Sequence, residues 1–223
     1  MRIMKAQPYS GPARGFTLIE VAIVLFVLAL LGGAILVPLG AQVEQRAYDE
    51  TTRTMNDVRD ALLGFAVINR RLPCPTNQSQ ILGGDGLEKV TGVTCTNAEG
   101  FLPWTTLGVG AIDAWGRSFL YRVTPAFASA TPFTLSTSPD IVICQAAGCT
   151  TAANVVAVVV SGGKNQGNCT GACLDEAENR NVDVKFVSRI RGQPGTGNEF
   201  DDVVVWIPAT TLFSRMIAAN LLP

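Results

Sequence analysis

Arg14-Gly15-Phe16-Thr17-Leu18-Ile19-Glu20-Val21 opens the stretch that decides the fold. From Val21 to Val43 the chain carries no charged side chain, and Gln42 is its only strongly polar residue. As a helix, about 23 residues span roughly 35 Å, enough for the ~30 Å hydrocarbon core of a bilayer. Arg2, Lys5 and Arg14 precede the run, and Glu20 is the only acidic residue before it. The positive-inside rule then keeps the first residues cytoplasmic and translocates the rest. A cleaved secretory signal ending near Gly40-Ala41 is the alternative, but its apolar region would exceed the usual length of about 7–15 residues. Pro38 removes a backbone hydrogen bond inside the run and predicts a kink, with Gly32, Gly33 and Gly40 as further weak points.

Working outward, the helix is expected to continue past the apolar run. Val43, Ala47, Met55, Val58, Leu62 and Phe65 form one apolar stripe, while Glu44, Arg46, Asp49, Glu50, Arg53, Asp57, Arg59 and Asp60 occupy other faces. The helix should end near Asn69, before Pro73 and Pro75. The polar faces are too acidic for a lipid-surface helix, so the stripe is expected to pack on a domain. Beyond Cys74, Gly, Pro, Thr and Asn punctuate short apolar runs. Phe119–Val123, Ile141–Cys144, Val155–Val160, Val182–Val187 and Val203–Ile207 read as strands of an antiparallel sheet, and Thr210–Asn220 as a short final helix. The fold class is therefore α+β, a long N-terminal helix packed on a small antiparallel β-domain. Thr76–Gly100 and Ser161–Asn181 read as extended surface loops.

The chain has 223 residues, 17 Lys+Arg against 18 Asp+Glu, only 16% charged residues and no histidine. Its mean hydropathy of +0.28 fits a membrane segment or an exported protein. Near-zero net charge leaves no general footprint for nucleic acid. The absence of histidine excludes Ser-His-Asp and Cys-His catalysis and every histidine-containing metal site. Adjacent Asp201 and Asp202 would point to opposite faces of a strand, a poor acid–base pair.

The run Gly15-Phe16-Thr17-Leu18-Ile19-Glu20 before an apolar helix resembles the prepilin peptidase recognition motif of type IV pilins and the pseudopilins of type II secretion. The resemblance covers residues 14–40 and implies cleavage after Gly15 and N-methylation of Phe16. It also implies a lollipop-shaped α+β subunit, drawn from the inner membrane into a helical filament. A carboxylate in hydrocarbon costs several kcal/mol unless paired. In a filament the Phe16 amine of a neighbour would neutralise Glu20 and set the axial register between subunits. Asp113-Ala114-Trp115-Gly116-Arg117 is similar to the Asp-Pro-Trp-Gly turn of major pseudopilins, with Ala in place of Pro. Ser161-Gly162-Gly163-Lys164-Asn165, followed by Glu199-Phe200-Asp201-Asp202 and Trp206, is similar to loops that bind calcium in that family. The resemblance makes Ser161, Asn165, Asp201 and Asp202 candidate Ca²⁺ ligands, although Asn165 stands where the family has Asp and a cysteine-bearing insertion separates the loops. Turn and capping chemistry by the same residues is the other reading. Apart from calcium no cofactor is expected.

Cys74, Cys95, Cys144, Cys149, Cys169 and Cys173 all follow the apolar run, on the side expected to be oxidising. Proximity favours the disulfides Cys74–Cys95, Cys144–Cys149 and Cys169–Cys173. A four-thiolate zinc site built on Cys144, Cys149, Cys169 and Cys173 is the rival.

Together these readings divide the chain into a leader at 1–15, a membrane and filament-core helix at 16–41, an amphipathic helix at 42–70 and a disulfide-containing β-rich head at 71–223. Removing residues 1–15 takes three basic residues and no acidic one, so a basic leader is followed by a mildly acidic exported body. The expected protein is a structural subunit, minor rather than major, of a pilus or pseudopilus, and not an enzyme. Its expected partners are prepilin peptidase, other pilin or pseudopilin subunits and the inner-membrane assembly platform, with the head periplasmic. The alternative is a bitopic membrane-anchored binding or sensor protein.

Overall fold

The structure, a computed structural model, describes residues 15–77, 83–148, 153–166, 173–192 and 199–222; of residues 32–39 it describes the helical backbone only. Contacts divide the chain into two units, Met1–Gln45 and Arg46–Pro223.

Helix α1 runs from Leu18 to Asn69, 52 residues, and continues unbroken through Pro38. In the first unit its large apolar side chains are exposed, from Leu18 at 89% through Leu31 at 56%. Among the described residues no helix is long and apolar enough to cross a membrane. The expected span Val21–Val43 includes residues 32–39, whose side chains lie outside the described set.

In the second unit α1 buries Thr51, Met55, Val58, Leu62, Leu63 and Ala66. Steps of four, three and four residues keep these positions on one face of a helix with 3.6 residues per turn. The buried stripe differs from the expected one at both ends. Val43 lies in the first unit and is 61% exposed. Phe65 is only half-buried, because the face continues from Leu62 to Ala66. The Phe65 ring lies instead under the Arg71 guanidinium, 5.4 Å from its centroid. Arg70 ends the helix in the left-handed region at φ 57°, with its N–H donating to the Ala66 carbonyl at 2.8 Å.

The second unit adds a hairpin of β1 (Val90–Thr91) and β2 (Thr94–Cys95), then β3 (Glu99–Phe101), α2 (Trp104–Leu107), β4 (Leu120–Val123), α3 (Pro125–Ala128), β5 (Ile141–Cys144), β6 (Ala153–Ser161), α4 (Leu174–Glu178), β7 (Lys185–Val187), β8 (Val203–Pro208) and α5 (Ala209–Ala218). Thr76–Gly100, expected as a loop, thus contains the hairpin and the start of β3. The main sheet has the order β3-β4-β6-β5-β7, and β8 also pairs with β6. Its pairings are antiparallel except one. β7 runs parallel to β5, with Ile143 opposite Phe186, which corrects the expectation of a purely antiparallel sheet. β7 is also shorter than expected, since Val182 is 85% exposed.

β6 holds the sheet together. Its uninterrupted run Val155-Val156-Ala157-Val158-Val159-Val160 is buried on both faces, the pattern of a central strand covered on both sides. Val156 and Val159 join the larger core with Met55, Val58 and Leu62 of α1, Phe119, Tyr121, Phe127, and Leu212 and Met216 of α5. Val155, Val158 and Val160 join a smaller cluster with Ile141, Ile143 and Phe186. A disulfide joins Cys74 to Cys95. Cys144 and Cys173 are both disulfide-bonded. Cys149 and Cys169 lie outside the described residues, so the expected pairings Cys144–Cys149 and Cys169–Cys173 fall there.

Candidate functional site

β6 ends at Ser161, and the chain turns through Gly162 and Gly163 into Lys164 and Asn165. Gly163 has φ +57°, and a Cβ there would stand 2.3 Å from Asp201 Oδ1, so only glycine fits. The loop wraps one side of the Asp201 carboxylate. The backbone N–H groups of Lys164 and Asn165 both donate to Asp201 Oδ2 at 3.0 Å. On the other side α4 presents Glu176, fully buried, whose Oε1 accepts the Asp201 N–H at 2.8 Å. Asn165 Nδ2 donates to Glu176 at 3.2 and 3.3 Å and to Glu199 at 3.4 Å. Asn179, just after α4, donates to Asp202 Oδ2 at 2.8 Å and ties α4 to β7 through Val187.

Glu176, Asp201 and Asp202 thereby bring carboxylate oxygens within 4.8 Å of one another in buried surroundings. Both aspartates precede β8 rather than lying on it, so strand alternation does not separate them, contrary to the expectation of opposite faces. Burial raises the Asp201 carboxyl above its ordinary value, with the Lys164 and Asn165 N–H groups opposing. Burial pushes Asp202 up to about 7, against the Asn179 hydrogen bond and the Arg180 charge. Asp201 Oδ1 and Asp202 Oδ1 have no hydrogen-bond partner among the described residues. Arg180 Nη2 stands 3.6 Å from Asp202 Oδ1, as an ion pair beyond hydrogen-bond reach. These buried carboxylates face the Arg180 guanidinium and, at Asp201, the Arg191 charge. Burial favours their neutral forms, and a divalent cation would favour the ionised ones. Oxygen-only donors suit a hard cation such as calcium. The carboxylates therefore suit the group that the loop resemblance implies, but only Asp201 and Asp202 of the four expected ligands are among them; Glu176 joins them, and Asn165 directs its Nδ2 donor to Glu176 and Glu199. Ser161 is not among them, since its hydroxyl donates to Asp113 Oδ2 at 2.6 Å.

Asp113 belongs to the Trp-Gly turn. Its Oδ1 accepts the N–H groups of Trp115 and Arg117, both at 2.9 Å. Arg117 then reaches across to the carbonyls of Gly163 and Lys164, at 2.8 and 2.6 Å. The two segments that sequence reading linked to pseudopilins are thus one construction, the turn clamping the loop. Glu176 was missed. It lies in the segment expected to be variable surface, and an Asp-Glu pair on a short helix gives no signal that it turns inward.

At the start of α1 the geometry is local. Thr17 precedes the first helical residue, and Glu20 is the third residue of the helix. Glu20 Oε2 accepts from the Thr17 N–H and the Thr17 hydroxyl, and the Glu20 N–H donates to Thr17 Oγ1, each at 3.3 Å. This reciprocal arrangement is a capping box, in which two unpaired N–H donors of the helix end are satisfied at once. Gly15 has open space around its α-carbon, and Phe16 is 85% exposed. Residues 12–36 match the family model for the prokaryotic N-terminal methylation motif. The chain carries the signature of type IV pilins and pseudopilins. No curated protein and no solved structure matches the chain. The methylation motif thus begins before α1, takes in the capping box, and extends along the exposed apolar part of the helix.

Proposed function

We propose that this protein is a structural subunit of a type IV pilus-like filament or of a type II secretion pseudopilus, with no catalytic role. The observation that carries the reading is the methylation motif at residues 12–36, whose Thr17–Glu20 capping box heads a 52-residue helix with an exposed apolar first part. Exposed apolar surface on this scale calls for lipid or protein cover. Before assembly the inner membrane supplies it, with the second unit on the periplasmic side; afterwards neighbouring subunits do. Prepilin peptidase cuts after Gly15, and the new amine at Phe16 is methylated. The capping box gives Glu20 a partner inside its own helix while the subunit waits. In the filament the Phe16 amine of a neighbour takes over, and the requirement for that pair sets the register. Assembly on an inner-membrane platform follows from the same reading, and the surface loops favour a minor subunit.

The Glu176, Asp201 and Asp202 cluster adds a cation to this reading. Those three side chains would hold calcium, with Asn165 and the Gly163–Asn165 backbone ordering the loop around it. Calcium would supply charge neutralisation and lock the loop to α4.

The test is the mature amino terminus in cells with an active prepilin peptidase. N-methyl-phenylalanine at Phe16 is the expected result, and a chain still beginning at Met1 overturns the reading. Glu20→Ala should leave cleavage intact and reduce incorporation into filaments.

A further inference from the structure

We propose that the outer face of α1 in the second unit is a docking surface for a parallel second copy of this chain, and that its alternating charges select a displacement of four residues between the copies. The inference rests on the filament reading above, which makes neighbouring copies parallel, and it names the surface through which this half of α1 meets its neighbour.

Arg46, Glu50, Arg53 and Asp57 are spaced by four, three and four residues, so they share one face of α1. That face lies roughly opposite the one that buries Thr51, Met55, Val58 and Leu62. All four residues are exposed. Opposite charges four residues apart on a helix can pair within it. Among the described residues, none of these four is in an ion pair. Their order also disfavours internal pairing, which is better with the carboxylate N-terminal to the base. Here each arginine comes first. The four charges are therefore open to another molecule.

The pattern is complementary to itself at one shift. A parallel copy moved four residues towards the C-terminus, about 6 Å, brings its Arg46 level with Glu50 and its Arg53 level with Asp57. Its Asp49 comes level with Arg53, which adds to the attraction. A shift of seven residues, about 10.5 Å, sets Arg46 on Arg53 and Glu50 on Asp57, like charge on like. With no shift every charge meets itself. The methylation motif has the same form, since Phe16 precedes Glu20 by four residues, as Arg46 precedes Glu50 and Arg53 precedes Asp57. Two charge patterns in one helix thus ask for the same displacement. Because the displacement is not zero, each copy gives its arginines to one neighbour and its carboxylates to the next. Such a head-to-tail contact with an axial step does not close into a ring and builds an open filament. Exposed pairs contribute little affinity each. What they supply is the choice of register, because the wrong shift meets repulsion.

The experiment is charge inversion in cells with an active prepilin peptidase and filament assembly. Arg46→Glu with Arg53→Glu should leave cleavage after Gly15 intact and lower incorporation into filaments several-fold. Adding Asp49→Arg, Glu50→Arg and Asp57→Arg inverts the whole pattern, keeps it complementary at the same shift, and should restore incorporation. Unchanged incorporation in the first variant, or no restoration in the second, overturns the proposal. Wild type that is not cleaved after Gly15 overturns the filament reading instead. Should the inverted chain fail to fold, cross-linking decides. Differently tagged copies carrying Arg46→Cys and Glu50→Cys are co-expressed and oxidised with copper phenanthroline, with wild type as background. Heterodimers should form several-fold more often than from Arg46→Cys with Arg53→Cys, the seven-residue shift. Equal yields, or no heterodimer from either pair, overturn the proposal.

Discussion

Glu88 fastens the chain where it leaves α1, and replacing it by Gln tests how the second unit is held to its helix. Arg71 Nη1 and Nη2 donate to Glu88 Oε2 and Oε1 at 2.8 and 2.7 Å, a bidentate pair. The Cys74 N–H donates to the same carboxylate at 3.0 Å, and the Glu88 N–H donates to Thr106 Oγ1 at 2.9 Å. Both side chains of the pair are only about one-fifth exposed, 20% and 19%. Glu88→Gln keeps the shape and one acceptor. It removes the charge and turns an N–H₂ group toward the guanidinium. Hydrogen bonds to charged groups contribute about 1.5–3 kcal/mol each. Losing one and weakening another should cost about 2 kcal/mol, or roughly 4–8 °C in Tm for a unit of this size. Burial raises the Glu88 carboxyl, but the Arg71 bonds and the Cys74 N–H outweigh it and hold the group below its ordinary value of 4.5. A depressed carboxyl stabilises above its unfolded value and loses that contribution as pH falls through the folded one. The gap between wild type and Glu88→Gln should stay constant from pH 6 to 8 and close below about 4.5. Thermal unfolding followed by circular dichroism at several pH values reads both effects. Lys89→Ala serves as the control, since its pair with Asp85 is far more exposed and should change Tm by little. A Tm within 2 °C of wild type at pH 7, or a gap that widens in acid, would refute the reasoning.

Leu62→Ala, in the buried face of α1, should cost about 2–5 kcal/mol through lost burial and a residual cavity, measured by urea unfolding. Replacing both Cys74 and Cys95 by Ser opens a loop of 21 residues and should cost about 3 kcal/mol in the same assay. Thr17→Val keeps the β-branched shape but removes the hydroxyl of the capping box, so it should weaken the first turn of α1 by about 1 kcal/mol. Amide hydrogen exchange at residues 18–21 in micelles should then quicken several-fold, and unchanged exchange would mean that the box contributes nothing.

The parts that could be read from sequence were those in which one physical signal dominates. The end of α1 near Asn69 follows from the prolines beyond it. β5 and β8 were visible as short apolar runs with punctuation, and β6 as an unbroken apolar run of valines around Ala157. The β1–β2 hairpin was not visible, because strands of two residues are too short to show alternation. The parallel pairing of β7 with β5 was hidden because pairing direction is set by how the chain returns from α4, not by the strand's own residues. The loop at Ser161–Asn165 and the aspartates before β8 were legible as a candidate site. Its third carboxylate was not, since Glu176 is recruited by tertiary packing against Asp201 and Asn165. Ser161 was placed in the site by its sequence position, and Asp113 claims its hydroxyl instead.

The strand at the centre of the sheet depends on the end of the chain. β6 is flanked along its length by β8, and α5 closes the larger core with Leu212 and Met216. α1, which precedes the other elements of this unit, therefore cannot cover its apolar face completely until β8 and α5 are in place. Such late, long-range closure is slow compared with local pairing. During synthesis the second half of α1 would remain an open apolar surface until those elements form. A truncation removing α5 should therefore behave as an unfinished fold rather than a shortened one.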